Sequence, residues 1–204
     1  MSQTYDWKDF WYEAGKTYIE KAGTNTRPFQ IQEKILLDYL SKLDFDSVLE
    51  LGCGFGRITK LVLETFNPSI YTAVDLSPHQ LENARVYIGD DQAHFVNSSI
   101  QDFGSTITGY DLVLAVEVLM HVPPNEIREV IDKMTSLSNS HIVNVDWCLT
   151  GFRDDPLPYG EGGFIYAHDY KKLYGQKFVG SFPIRDDKDG YNIRQKLFHT
   201  QLVD

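Results

Sequence analysis

An α/β fold built around a mostly parallel sheet is the prediction for this chain, and three observations carry it. Strand-like and helical segments alternate between residues 45 and 146, as crossover units do. The run Tyr110 to Val116, YDLVLAV, is almost wholly apolar, which suits a central parallel strand buried on both faces. Finally, the stretch LELGCGFGRI at residues 49–58 puts Gly52, Gly54 and Gly56 between an apolar strand and an amphipathic helix.

The elements follow in order. Residues 5 to 24 are rich in aromatics, among them Trp7, Phe10, Trp11, Tyr12 and Tyr18. They read as a helix packed on the domain surface, as a lid over a ligand, or as both. Pro28 to Leu43 carries Ile31, Ile35, Leu36, Tyr39, Leu40 and Leu43 on one helical face. Ser47 to Leu51 is the first strand, and Arg57 to Phe66 is a helix that Asn67-Pro68 ends. Ile70 to Val74 is the second strand and closes on Asp75; Ser77-Pro78 caps and starts the next helix, to about Tyr87. Ala93 to Val96 is the third strand and Tyr110 to Val116 the fourth. A helix from Pro123 or Pro124 to about Leu137 leads to a fifth strand, His141 to Val145. Residues 149 to 165 are rich in Gly, Pro and acids and read as a long loop. His168-Asp169 opens a short helix ending near Gly175, and Lys177 to Ile184 and Tyr191 to Leu202 form a hairpin turned at Asp189-Gly190.

Bulk composition bounds the function. The chain has 204 residues, 42% hydrophobic and 13% aromatic, enough for one globular domain with a sizeable core. The net charge of −10 disfavours nucleic acid as a partner. Two cysteines make neither a disulfide framework nor a four-ligand zinc set, and no metal-ligand cluster stands out, so no metal is expected. The polar N-terminus carries no leader pattern and no apolar run of about 18 residues exists, so a cytoplasmic chain without a membrane span is expected.

A glycine-rich strand-to-helix turn lets a ligand approach the backbone and meet helix N-terminal amides. The dinucleotide fingerprint G-x-G-x-x-G is not satisfied, because Arg57 stands where its last glycine would be. Two acids add detail. Glu50, two residues before the loop, would repel a pyrophosphate and welcome an ammonium group. Asp75, at the end of the second strand, can accept hydrogen bonds from two ribose hydroxyls. Together they suit a ligand with a ribose at one end and an amino acid at the other.

With those residues in place, the chain resembles the class I S-adenosylmethionine-dependent methyltransferases. VLELGCGFGRIT resembles the family's first motif, YTAVDLSPHQLENAR its second, HFVNSSIQDF its third and YDLVLAVEVLMHV its fourth. The resemblance implies a Rossmann-like, doubly wound sheet of seven strands in the order 3-2-1-4-5-7-6, with an antiparallel C-terminal hairpin. It divides one methyltransferase domain, 1–204, into an N-terminal helical cap (1–44), a cofactor-binding core (45–146) and a substrate-side segment (147–204). S-adenosylmethionine is the implied cofactor. Glu50 and Gly52, with Cys53 beside them, would hold its amino end, and Gly54 and Gly56 would let it lie close. Asp75 would take the ribose hydroxyls. Leu76 and Ser99 or Ile100 would meet the adenine, and Val116 and Glu117 would line the methionine side.

On the acceptor side, His121 follows the fourth strand, where the crevice of a parallel sheet opens. It is a candidate base or substrate contact, with a packing role as the alternative; His168 is a second candidate of the same kind. Trp11, Tyr12, Asp146, Trp147 and Tyr166 are candidate substrate contacts. Glu117-Val118-Leu119-Met120 stands where DNA amino-methylating relatives carry D/N-P-P-Y/F/W, which disfavours that subclass. The expected activity is methyl transfer to an oxygen or nitrogen of a small molecule. A protein acceptor, a cofactor-binding partner subunit without catalysis and a nicotinamide-dependent oxidoreductase are the alternatives; the sequence leaves the oligomeric state open.

Overall fold

Strands β1 (Ser47–Leu51) and β4 (Tyr110–Val116) lie parallel at the centre of a seven-stranded sheet in the computed structural model, which describes residues 6–23, 26–89, 91–107, 109–147, 153–159, 163–185 and 192–202. Beyond β1 come β2 (Ile70–Asp75) and β3 (His94–Asn97), both parallel. Beyond β4 come β5 (Ser138–Trp147), parallel, and then β9 (Asn192–Gln201) and β8 (Phe178–Arg185), each antiparallel to its neighbour. The order β3-β2-β1-β4-β5-β9-β8 is the expected 3-2-1-4-5-7-6 once a separate pair, β6 (Arg153–Tyr159) and β7 (Gly163–Ala167), is set aside.

That pair corrects the expectation of a structureless loop over 149 to 165. Leu157 pairs with Ile165 and Tyr159 with Gly163, with a register shift between Arg153 and Leu157. Pro156 and Pro158 hide the strand signal, since proline withdraws a ladder donor and is tolerated only at sheet edges. The C-terminal turn expected at Asp189-Gly190 lies outside the described residues.

The helices cover both faces. Alternation along β1 and β4 sends Leu49, Leu51, Val113 and Ala115 to one side, against Val130, Ile131 and Met134 of α6 (Ile127–Leu137) and Tyr170 of α7 (Tyr170–Tyr174). Val48, Leu112, Leu114 and Val116 go to the other side, against Leu36 and Leu40 of α3 (Arg27–Leu40) and Ile58 and Val62 of α4 (Arg57–Phe66). Asn67 ends α4 in the left-handed region, φ 48°, its N–H on Leu63 O. Ser77 caps α5 (Pro78–Ile88), as its sequence promised. Helix α6 starts later than expected: Pro123 opens a turn whose carbonyl accepts from the N–H groups of Glu126 and Ile127, at 2.9 and 3.1 Å.

The aromatic N-terminus forms two short helices, α1 (Trp7–Ala14) and α2 (Tyr18–Ala22). Asp6 caps α1 by accepting from Lys8 and Asp9 N–H groups. Among the described residues no helix is long and apolar enough to cross a membrane. The chain leaves β1 toward β2 on one side and has β4 on the other. This is a topological switch point, where a crevice opens beyond the carboxyl ends of the strands.

Candidate active site

The crevice is bounded by the loop after β1. Gly52, Gly54 and Gly56 all have positive φ, at 74°, 56° and 86°. Gly52 is also needed for space, since a Cβ there would lie 2.4 Å from Val118 Cγ2. Gly54 is different: the nearest atom to a Cβ there is Gln80 Nε2 at 3.7 Å, so its backbone is open to the cleft. Gly56 caps α4 without a side-chain acceptor, which leaves first-turn amides for a ligand.

Two carboxylates flank this loop. Glu50 is 2% exposed, and its Oε2 accepts from Thr59 Oγ1 at 2.5 Å and Tyr71 OH at 2.7 Å. Burial pushes its carboxyl up to about 7, against the pull of those two hydroxyls. Both bonds end on Oε2, which leaves Oε1 to the cleft that Glu50 lines. Asp75 ties the loop to β2: its Oδ2 accepts from Gly54 N and its Oδ1 from Ser77 N, each at 2.8 Å. Burial lifts it to about 6, while the Ser77, Gly54 and Leu76 amides act in the opposite direction. Each Asp75 oxygen keeps a lone pair for a further donor.

A third acid, Glu117, follows β4 in the left-handed region, φ 60°, unusual for a residue with a side chain. Its N–H donates to Val145 O at 2.7 Å. Its carboxylate accepts from Gln195 Nε2 and lies 3.5 Å from Arg57. Arg57 also donates to Glu33 Oε1 at 2.9 Å and Gln32 Oε1 at 2.6 Å, and Gln32 donates to Gln195 Oε1 at 2.6 Å. One polar network thus joins α3, α4, β4 and β9 around the cleft.

The N-terminal helices form the cover. Trp7 Nε1 donates to Glu126 Oε2 at 3.1 Å, which fastens α1 to the segment before α6. Trp11 meets the His121 ring edge-on, centroids 4.5 Å apart, and Tyr18 at 5.6 Å. A Cβ on Gly15 would lie 2.2 Å from Ser77 Oγ, so the turn between α1 and α2 rests directly on the start of α5.

Most of the expected residues converge. Glu50, Gly52, Cys53, Gly54, Asp75, Leu76, Ser99, Ile100, Val116 and Glu117 line one cleft of about 980 Å³, counting its open mouth, together with Trp11 and His121. Gly56 lies behind it, where a Cβ would fall 2.4 Å from Ile88 Cδ1. The Ser99 hydroxyl is taken by Asp102 Oδ2 at 2.5 Å, so its backbone is what remains for a ligand.

Five expected residues stand apart from the cleft lining. Tyr12 is 42% exposed and faces His79. Asp146 is fully buried, accepting from Asn144 Nδ2 at 2.6 Å and Met120 N at 3.1 Å. It therefore holds the 3-10 turn Leu119–His121 from below instead of meeting a substrate, and burial raises it to about 6. Trp147 sits opposite Gln195 in the β5/β9 ladder, and Tyr166 stacks on His168. His168 Nε2 donates to Leu119 O and Val122 O at 3.1 and 3.0 Å, and burial pushes the ring down to about 4. A neutral imidazole clamped on two carbonyls positions the turn carrying His121; it is not placed to act as a base.

Sequence reasoning did not single out Gln80, Gln32, Gln195 or Phe29. Gln80 lines the cleft beside Gly54, and its Oε1 is buried without a hydrogen-bond partner among the described residues. An orphaned acceptor next to an open glycine and a carboxylate fits a ligand that brings hydroxyl or amino donors, as an adenosine does. No local signal marks Gln32 and Gln195, which are 163 positions apart and meet only through the fold.

Residues 48–140 match a family described as a methyltransferase domain. The chain is 32% identical over 164 residues to a malonyl-[acyl-carrier protein] O-methyltransferase of Acetivibrio thermocellus, covering 74% of this chain and 55% of that protein. It is 33% identical over 107 residues to a trans-aconitate 2-methyltransferase of Enterobacter sp., covering 52% and 39%. The chain thus spans about half the length, or less, of these curated relatives. Among solved structures, magnesium protoporphyrin IX methyltransferase from Synechocystis, with bound S-adenosylmethionine, superposes with a TM-score of 0.74 at 15% identity over all of both chains. An N-methyltransferase from Bradyrhizobium japonicum gives 0.67 at 19% identity, over 87% of this chain and 98% of that one.

Proposed function

We propose that the chain is a class I S-adenosylmethionine-dependent methyltransferase and that it transfers a methyl group to an oxygen or nitrogen of a small molecule; the methyltransferase-domain match, the O-methyltransferase relative and the shared fold support this. The observation that carries this reading is the grouping of Glu50, the open Gly54, Asp75 and the orphaned Gln80 Oε1 along one cleft.

When bound, S-adenosylmethionine supplies a methyl group already activated on a sulfonium. The chain's own work is then to hold, align and exclude water. Glu50 Oε1 and the Gly52 backbone receive the ammonium end. Asp75 offers its two remaining lone pairs to the ribose hydroxyls. Gln80 accepts from the adenosine, and Leu76, Ile100 and the Ser99 backbone bracket the base. Val116 and Glu117 flank the methionine side. The α1–α2 cover, fastened by Trp7 to Glu126, shields the acceptor end. His121, backed by Trp11 and held by the turn that His168 and Asp146 fix, is the side chain placed to contact an acceptor.

The test is incubation of the full chain with methyl-labelled S-adenosylmethionine and a panel of small oxygen and nitrogen acceptors. Label should pass to product with equal release of S-adenosylhomocysteine, and Asp75→Ala should abolish both. Cofactor binding with no label transfer to any acceptor, including basic proteins, would favour a partner subunit without catalysis.

A further inference from the structure

The cleft is lined by rings and acids. Trp7, Trp11, Tyr18 and Phe29 line it. Among the described lining residues the carboxylates are Glu50, Asp75 and Glu117, and the one permanent cation is Arg57. That cation is already engaged. It donates to Glu33 and Gln32, lies beside Glu117, and its guanidinium carbon is 4.0 Å from the centre of the Phe29 ring. A guanidinium with two acids and an amide around it has little attraction left for an incoming anion.

A carboxylate acceptor entering here would meet Glu117 with no uncommitted permanent cation among the described lining residues. It would also work against the field of a chain carrying a net −10. An ammonium meets the opposite situation: electron-rich indole and phenol rings, which attract cations, and the Glu117 carboxylate, since Glu50 and Asp75 are taken by the cofactor. Aromatic side chains pack well on a flat, apolar partner. We propose that the acceptor is an amine borne on a flat, apolar body, drawn in as its ammonium, and that the cleft discriminates against carboxylates, unlike the acids in its relatives' names. Before transfer the ammonium gives a proton to His121 or to solvent; the freed nitrogen lone pair then bonds to the methyl carbon as the carbon–sulfur bond breaks, and S-adenosylhomocysteine leaves. This rests on the methyl-transfer reading and deepens it by naming the substrate class.

The probes are 2-phenylethylamine and 3-phenylpropanoate, which share a ring and a short chain and carry opposite charge. Calorimetry on the full chain first records S-adenosylhomocysteine binding and then titrates each probe into the loaded protein. The amine should bind about tenfold more tightly than the carboxylate. Glu117→Gln, which removes a negative charge and frees Arg57 from one neutraliser, should narrow that ratio about tenfold. If that variant does not fold by circular dichroism, Trp11→Phe, with a weaker cation-binding face, should weaken the amine alone by about threefold. If S-adenosylhomocysteine binds while neither probe binds, or the carboxylate binds as well as the amine, the amine assignment falls and the methyltransferase reading stands. If S-adenosylhomocysteine does not bind, both fall.

Discussion

Glu50→Gln separates the charge of the loop's first acid from its shape. Glutamine has the same outline, and its carbonyl oxygen can accept the Thr59 and Tyr71 hydroxyls that Oε2 accepts now. The change is therefore one of ionisation. Burial raises Glu50 from 4.5 to about 7 in the ligand-free fold, so the folded chain holds this proton more tightly than the unfolded chain. The folded state is thus favoured most at and below pH 4.5, and that advantage is lost as pH rises toward about 7. At about 1.4 kcal/mol per pKa unit, the loss is about 3 kcal/mol. A glutamine does not titrate and does not suffer it. Urea denaturation of the ligand-free proteins, stepped from about pH 4.5 to about pH 8.5, should give near-equal stability at the acid end. At the alkaline end the variant should be the more stable by about 2–3 kcal/mol. Taking the difference between the two proteins cancels groups that titrate alike in both. The same exchange removes the anion facing an ammonium, so affinity for S-adenosylhomocysteine should drop about tenfold. A stability difference that does not change with pH, or a variant less stable than the parent at pH 8.5, would refute the reasoning.

Other substitutions test other parts of the site. Gly52→Ala should destabilise the fold by about 3 kcal/mol or more, because positive φ and the Val118 contact both oppose a side chain. Gly54→Ala, with space at its Cβ, should cost about 1 kcal/mol of stability and show its larger effect in weaker cofactor binding; thermal melts and calorimetry read the two. His168→Ala should cost about 2–3 kcal/mol, because Leu119 O and Val122 O lose their donor. Its effect on turnover should come with no new ionisation in the pH–rate profile, since the residue positions the turn. The buried His199, 3.1 Å from His141 and 2.9 Å from Tyr39 OH, is pushed down to about 4 by burial and by its neighbour. Its unfolded form protonates first, so stability should fall as pH drops from 6.5 toward 4. His199→Gln should flatten that fall in pH-stepped melts.

The parts of the fold legible in the sequence are those set by local patterns. YDLVLAV is apolar on both faces because α3 and α6 cover opposite sides of β4, and three glycines mark a loop whose backbone needs positive φ and space. Asp75 was legible because it closes a strand beside that loop. The missing parts depend on contacts between distant segments. The β6–β7 pair hides behind Pro156 and Pro158 and declares itself only through pairing. His168 looks like the start of a short helix, and Asp169 does cap it at Lys172 N. That the imidazole reaches back to carbonyls 49 and 46 positions earlier is invisible to any window. Asp146 ends a strand on the cleft side, yet Met120 and Asn144 draw its carboxylate inward. Gln195 enters the site only because β9 runs antiparallel to β5.

Titration calorimetry of S-adenosylmethionine against the purified chain, with NADH as the competing ligand and Asp75→Ala as control, tests the central claim most directly. The cleft predicts S-adenosylmethionine binding at micromolar affinity or tighter, weakened about a hundredfold in Asp75→Ala where two charge-assisted hydrogen bonds are lost. NADH should give no heat. Binding of NADH in place of S-adenosylmethionine, or S-adenosylmethionine affinity untouched by Asp75→Ala, would contradict it.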